Sequence, residues 1–545
     1  PGDDDQQQRA DEVESHGVRG VRLHHAGNPA RALAGAGVAP HDARAVAASL
    51  QDVGFQAEVA ADVSLRNLEA AVNRFVARVK NGDVAVFYYA GHGIQLEGEN
   101  YLVPVDFDAK DEAILLEALR GGVWGGYPEP GKYNARFCET FAAYQNGGKS
   151  GAHGILMANG TVTMEVALKA LGIGWGDEVI IPALTFAATG YAPIAAGALP
   201  IVVDVEPEAW TIDPKAVEAA ITPRTKAIMP VHCGQVVSNM DAIVAIARKH
   251  GLAIVEDCAH SQGKEWGGQG VGLIGDFGSF SHQSSKILTA GEGGTLLTKD
   301  ATLARRAHSL IDCGRAKDPA GKEFTFGANF RLGELHAALL NTQMERFEAQ
   351  RAERDANGRY MEEQLAKVTG VRPLKVFDRV TRRSFYRFIV AIDPEAYGNV
   401  GNAAVCEALD AEGIGCWVGY ESMSDYELFQ PHLSRMPVPV QYAKQMDPKG
   451  WHTPVADRAA KQEQIYLDEK SDYDGAIREF ENVMTLPENQ QLVYKQYAVA
   501  FTNLGHAYYE RGNALVQKDK EGAAQNFAKA IQNLQSAKQN TRFFP

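Results

Sequence analysis

Cysteine is scarce in this chain, six among 545 residues. Cys138, Cys233, Cys258, Cys313, Cys406 and Cys416 lack both the dense pairing of a disulfide scaffold and the close spacing of a metal site. No metal centre is expected, and the six read as buried free thiols in a reducing, cytoplasmic setting. Basic residues are in deficit too: Lys and Arg total 54 against 68 Asp and Glu, a formal net charge of −14. With the acidic residues spread along the chain, this argues against nucleic acid or an anionic membrane surface as a partner. Val179 to Val203 carries no charge over 25 residues and could span a bilayer by length, but Pro182, Pro193 and Pro200 interrupt it. Pro1 to Gln8 is acidic and polar rather than basic then apolar, so no signal peptide is expected. What remains is a soluble protein with room for about three to four domains.

The prolines divide the uncharged stretch into a strand (Val179 to Ile181), a small-residue helix (about Ala187 to Ala198) and a second strand (Ile201 to Val205). The pattern recurs in Thr225 to Val231 as a strand, Asp241 to Lys249 as a helix that Gly251 is placed to end, and Leu252 to Asp257 as a strand. Such repeats build a parallel sheet covered by helices. The last strand delivers Asp257 to its carboxyl end, where open α/β sheets bind ligands.

Lys286 closes the phrase Ser279-Phe280-Ser281-His282-Gln283-Ser284-Ser285-Lys286, just ahead of Gly291-Glu292-Gly293-Gly294. A lysine amine can hold an aldehyde cofactor as a Schiff base, and an aspartate against a pyridine nitrogen keeps that ring protonated and electron-withdrawing. Ala158-Asn159-Gly160-Thr161 precedes a helical pattern from Val162 to Leu171, so its N–H groups and the Thr161 hydroxyl would face a phosphate. Together these point to pyridoxal 5'-phosphate. Singly, each has a plainer reading: a surface lysine, Phe186 as ordinary core, Asn329 as a turn residue beside Gly327, the glycine cluster as a turn.

From about Trp124 to about Ala460 the chain resembles the DegT/DnrJ/EryC1/StrS aminotransferases, fold type I enzymes that aminate keto-sugars and keto-cyclitols. The resemblance is carried by Ala158 to Thr161, Pro182-Ala183-Leu184-Thr185-Phe186, Glu256-Asp257-Cys258-Ala259-His260, Ser281 to Lys286, Gly291 to Gly294 and Gly327-Ala328-Asn329-Phe330-Arg331. It implies that Lys286 is the Schiff-base lysine and Asp257 the partner of the pyridine nitrogen, the two catalytic groups. Phe186 would stack on the cofactor ring, and Gly160, Thr161 and Ser281 would hold its phosphate. His260 falls beside the phenolic oxygen, where many members have Gln. Asn329 would reach the phosphate bound by a neighbouring subunit, implying a homodimer with shared active sites. Lysine at 286 distinguishes aminating members from dehydrating ones, which carry His there. The implied donor is glutamate or glutamine and the acceptor a keto-sugar nucleotide or keto-cyclitol, with Tyr420, Glu421 and Tyr426 as candidates for contacting it.

Residues from about Val38 to Asp108 resemble the opening of caspase-like peptidases of the metacaspase type. His41-Asp42-Ala43-Arg44, Gly54-Phe55, the run Val84 to Gly93 ending in Gly91-His92-Gly93, and Glu99 to Asp106 carry that likeness. His92 takes the general-base position, but the strand bearing the nucleophilic Cys is absent, and Cys138 sits in a helical context of the next segment. The peptidase site is therefore expected to be dead. Val18 to Gly37, rich in Ala, Gly and Arg, looks degraded as a strand. Beyond about Ala460, Asn503-Leu504-Gly505-His506-Ala507-Tyr508-Tyr509 with Ala523, Phe527 and Ala530 resembles a tetratricopeptide unit, and a plain helical hairpin fits as well.

The expected architecture is α/β: a fold type I transferase with a mixed, mostly parallel sheet and a smaller C-terminal subdomain, preceded by a partial caspase-like segment and followed by helices. The expected boundaries are 1–115, 116–354, 355–460 and 461–545, with Trp451 to Glu469 open between the last two. Three unrelated likenesses suggest a composite chain. The competing reading is a scaffold in which the caspase-like or tetratricopeptide-like segment carries a binding role.

Overall fold

The computed structural model describes residues 109–126, 129–315, 326–411, 414–429 and 440–467, together with the backbone of five strands nearer the N-terminus. The chain divides into two compact units, Pro1–Glu112 and Ala113–Pro545. In the first, β1 (Arg31–Ala36), β2 (Gln56–Ala61) and β3 (Ala85–Ala90) form a parallel sheet in the order β2-β1-β3, and β4 (Gly93–Leu96) pairs with β5 (Glu99–Leu102) as an antiparallel hairpin. The Ala- and Gly-rich stretch expected to be degraded thus supplies the central strand. Backbone ladders on both sides of β1 outweigh its poor side-chain propensity. His92 and residues 468–545, where the tetratricopeptide-like segment falls, lie outside the described residues.

The second unit is built on β6 (His153–Met157), β7 (Glu178–Pro182), β8 (Leu199–Val203), β9 (Thr225–Ile228), β10 (Ala253–Asp257), the short β11 (Glu265–Trp266) and β12 (Gln269–Gly270), then β13 (Phe277–Ser281) and β14 (Gly294–Thr298). Seven of these make one sheet in the order β6-β14-β13-β10-β9-β7-β8, with β14 antiparallel to both neighbours and β13, β10, β9, β7 and β8 successively parallel. Alternate residues of a strand face opposite sides. Ile180 accordingly packs in one core with Phe137, Phe141 and Phe280, while Val179 and Ile181 pack in the other with Val166 and Leu168. Burial on both faces is why these strands read as continuous apolar runs.

The uncharged stretch is strand, helix and strand: β7, the helix Ala188–Ala196 and β8. Among the described residues no helix is long and apolar enough to cross a membrane. The helix Met240–His250 ends on Gly251, whose φ of 66° is the left-handed cap that glycine adopts without strain.

The 32-residue helix Glu334–Leu365 leads into a smaller subdomain. There β15 (Val371–Pro373), β17 (Phe388–Ile392), β18 (Cys416–Trp417) and β19 (Gln464–Leu467) pair in the order β15-β17-β19-β18, while β16 (Val380–Arg382) joins β11. Strand β19 lies in the stretch the sequence left open between two segments, and it completes this sheet. The fold is therefore a mixed, mostly parallel sheet flanked by helices with a smaller C-terminal subdomain, as expected.

Candidate active site

Asp257 ends β10 and is only 5% exposed. Its Oδ2 accepts the Thr189 hydroxyl at 2.8 Å and its Oδ1 accepts the Ala259 N–H at 3.1 Å. Burial raises its pKa, with Thr189 and Ala259 pulling the other way. No hydrogen-bonded cation accompanies this carboxylate among the described residues, so its charge is only partly compensated.

Lys286 follows β13, half-buried, with Nζ 4.2 Å from the centroid of the Tyr386 ring. Burial lowers its pKa against the opposing pull of Tyr386 and Asp257. A lowered amine pKa enlarges the neutral, nucleophilic fraction. Burial would raise the Tyr386 phenol, but the Lys286 charge, with Ser285 and Arg387, outweighs it and holds the phenol below its ordinary value.

His260 is buried, with its ring centroid 4.2 Å from that of Tyr386 and 5.9 Å from that of Tyr420. Its Nδ1 accepts the Gly234 N–H at 3.3 Å, which assigns the ring proton to Nε2 and makes the 3.1 Å contact to Tyr420 Oη a donation from the histidine. Burial holds the imidazole well below its usual pKa, so it is neutral. Cys233 Sγ lies 3.3 Å from Tyr466 Oη, tying β19 to the same cluster.

The helix Gly160–Ala170 presents its N-terminus to the carboxyl end of β13. Asn159 caps it, with Oδ1 accepting the Val162 N–H at 3.0 Å. A Cβ on Gly160 would stand 2.8 Å from Ser281 Cβ, and one on Gly294 would stand 2.4 Å from the Asn159 carbonyl. Only glycine permits that approach, which brings the first turn of the helix against Ser281.

Phe186 is 55% exposed, its ring centroid 5.8 Å from that of Tyr420, so an aromatic face is left open at the site. The carboxylate without a hydrogen-bonded cation, the depressed amine, the open ring face and the glycine-lined helix N-terminus fit the pyridine nitrogen, aldehyde, ring and phosphate of pyridoxal phosphate respectively.

Asn329 is exposed, accepts the Arg331 N–H at 3.4 Å and pairs with Asp312. No hydrogen bond joins it to Asp257, Lys286 or His260 among the described residues. Tyr426 donates to the Thr185 carbonyl at 3.4 Å, and Glu421 is exposed. Thr189, Gly234, Ser285, Tyr386 and Tyr466 were not anticipated. They reach the site from helix, loop and the smaller subdomain, and apart from Ser285, which lies in the phrase ending at Lys286, no local motif marks them. All six cysteines are free, and Cys313 is exposed rather than buried, because it sits in the turn after the helix Ala301–Ile311 with φ 57°.

His232, Glu256 and Cys258 bring ligand-type atoms within 4.8 Å of one another. The Glu256 carboxylate already accepts the Gly272, Ile274 and Gly275 N–H groups at 2.8 Å and sits 3.1 Å from His232 Nε2. His232 Nδ1 accepts the Ser238 N–H at 3.2 Å. This is a satisfied structural cluster.

Residues 106–469 match the DegT/DnrJ/EryC1/StrS aminotransferase family. The chain belongs to this family. It is a pyridoxal-phosphate-dependent aminotransferase. Residues 35–123 match the caspase domain. A Streptoalloteichus tenebrarius protein with the provisional name L-glutamine:3-amino-2,3-dideoxy-scyllo-inosose aminotransferase is 42% identical over 373 residues, covering 66% of this chain and 87% of that protein. The L-glutamine:2-deoxy-scyllo-inosose aminotransferase of Micromonospora echinospora is 36% identical over 389 residues, covering 68% and 91%. Among solved structures, 3-amino-5-hydroxybenzoic acid synthase superposes with this aminotransferase at a TM-score of 0.60 and 28% identity, covering 69% of this chain and 96% of the other. DesV of S. venezuelae, in complex with a ketimine intermediate, gives 0.58 and 29%, covering 70% and 95%.

Proposed function

We propose that this aminotransferase moves the amino group of L-glutamine to the ring ketone of a keto-cyclitol, with Lys286 and Asp257 as its catalytic groups. The observation that carries the reading is the pairing of a buried carboxylate that has no hydrogen-bonded cation with a depressed lysine amine at the carboxyl edge of the sheet. The names of the related proteins support the donor and the acceptor class.

Bound pyridoxal phosphate supplies an electron-withdrawing ring that accepts the electron pair of a C–H bond broken beside nitrogen. Asp257 keeps the proton on the pyridine nitrogen, and Lys286 Nζ takes the proton from the donor α-carbon and returns one in the reverse half. Gly160, Thr161 and Ser281 hold the phosphate. Phe186 covers the ring, while His260, neutral and fixed by Gly234, orients Tyr420 toward the acceptor. Asn329 serves the phosphate of a second copy, so the working form is a homodimer. The free thiols support the reducing cytoplasm as its compartment. The scaffold reading rests on the caspase-like segment, of which five strands are described, and on the tetratricopeptide-like segment, whose residues 468–545 lie outside the described residues.

The test is a substrate panel with the purified full chain. Glutamine and a keto-cyclitol should give a kcat/KM at least about tenfold above that with a keto-sugar nucleotide, a difference of ~1.4 kcal/mol in transition-state binding. Preference for the nucleotide would overturn the acceptor assignment.

A further inference from the structure

Tyr386 borders Lys286, and the hydrogens around its hydroxyl can be assigned. Gln283 Oε1 accepts the Ser285 N–H at 2.9 Å and the Ser285 hydroxyl at 2.6 Å. A serine has one hydroxyl proton, so Ser285 Oγ can only accept at its 2.7 Å contact with Tyr386 Oη. Tyr386 therefore donates its proton to Ser285, and its oxygen accepts from other donors, the Arg387 guanidinium among them. The ring is held in place by the His260 ring at 4.2 Å and by the Arg387 guanidinium carbon at 5.2 Å from its centroid. Lys286 Nζ lies 4.2 Å from the same centroid.

We infer that Tyr386 is a positioning residue for proton transfer. Once the amino donor displaces Lys286, the phenol oxygen accepts one N–H of the lysine amine and so aims the nitrogen lone pair at the donor α-carbon. This rests on the reading of Lys286 as the catalytic lysine. The step balances: the donor C–H bond breaks, an N–H bond forms on Nζ, and the electron pair passes into the ring of the bound cofactor. The charge gained at Nζ sits beside an aromatic ring, whose quadrupole attracts it. Without the phenol oxygen a flexible lysine stem spends much of its time with the lone pair misdirected, and misplacement on the order of 1 Å costs ~10²-fold. Besides Tyr386, Asp257 and Cys233 act on the Lys286 charge, and Arg387 acts on Tyr386.

The experiment uses Tyr386→Phe, which keeps the ring and removes the oxygen. In single turnovers of the holoenzyme with glutamine, the rate should fall ~10- to 100-fold with little change in donor KM. The kinetic isotope effect with α-deuterated glutamine should rise. In the cofactor-free full chain, the pH midpoint for acylation of Lys286, followed by peptide mapping, should move down, because the contact with Tyr386 raises that amine's pKa. Ser285→Ala, which releases the phenol proton toward the lysine lone pair, should reproduce part of the rate loss. A wild-type rate, isotope effect and midpoint in Tyr386→Phe would overturn the inference. If that variant misfolds, a wild-type rate and isotope effect in Ser285→Ala would do so instead. Turnover surviving in Lys286→Ala would sink the underlying catalytic assignment separately.

Discussion

Asp257 and Lys286 are both pulled toward neutrality by burial, and neighbours oppose that pull, Thr189 and Ala259 at the carboxylate and Tyr386 and Asp257 at the amine. Lys286→Ala should abolish transamination while the protein still retains pyridoxal phosphate after gel filtration, since the phosphate and ring contacts remain. Asp257→Asn should also retain it and lose most activity, because an amide cannot stabilise a protonated pyridine nitrogen. Loss of cofactor from both variants alike would point to misfolding instead. Lys264 offers a test by pH. It is fully buried, donates to the Gly234 carbonyl at 2.6 Å and the Val236 carbonyl at 3.2 Å, and burial lowers its pKa to about 7. Between that value and its ordinary 10.5 the unfolded chain binds more protons. Stability contributed by this group therefore rises with pH above 7, by at most ~1.4 kcal/mol per unit. The buried Cys138 and Cys258 thiols, pushed up by burial, oppose this only in the alkaline range. Urea midpoints should climb from pH 7 to 8.5 in the wild type and climb less steeply in Lys264→Met, where the depressed Lys286 amine still contributes. A parallel climb in the variant would mean that other groups set the trend.

At the scale of elements, the site depends on β13, β14 and the cap of the helix Gly160–Ala170 pressing together. Gly294→Ala would put a Cβ 2.4 Å from the Asn159 carbonyl and 2.7 Å from the Gly160 nitrogen, backbone atoms that cannot step aside. Pushing the cap away should weaken cofactor binding at least about tenfold, readable by fluorescence titration of the cofactor-free protein, whereas unchanged affinity would separate this cap from the phosphate. Much of this was legible in the sequence, because helix and strand periods, Gly251 and the run ending at Asp257 are local signals. The strand Arg31–Ala36 was not, since pairing on both sides decided it rather than its own side chains. Tyr386 and Tyr466 escaped as well. They lie in or beside the apolar strands β17 and β19, and only tertiary folding brings them to Lys286 and Cys233. Cys313 read as one more buried thiol, but its turn carries it outward.

At the scale of the whole molecule, the groups proposed as catalytic lie in the unit Ala113–Pro545, and every residue proposed to hold the cofactor falls between Gly160 and Asn329. A fragment from Ala113 to Ser471 should therefore keep cofactor binding and the half-reaction with glutamine, and His92→Ala in the full chain should leave turnover unchanged. Loss of binding in a folded, dimeric fragment would place part of the site in the N-terminal unit or in residues 472–545. The most direct measurement of the central claim is borohydride reduction of the purified protein reconstituted with pyridoxal phosphate, followed by digestion and mass mapping of pyridoxyl-lysine. The pyridoxyl group should be found on Lys286 and be absent when glutamine is added before reduction. A label on Lys264 or another lysine, or no label at all, would contradict the assignment.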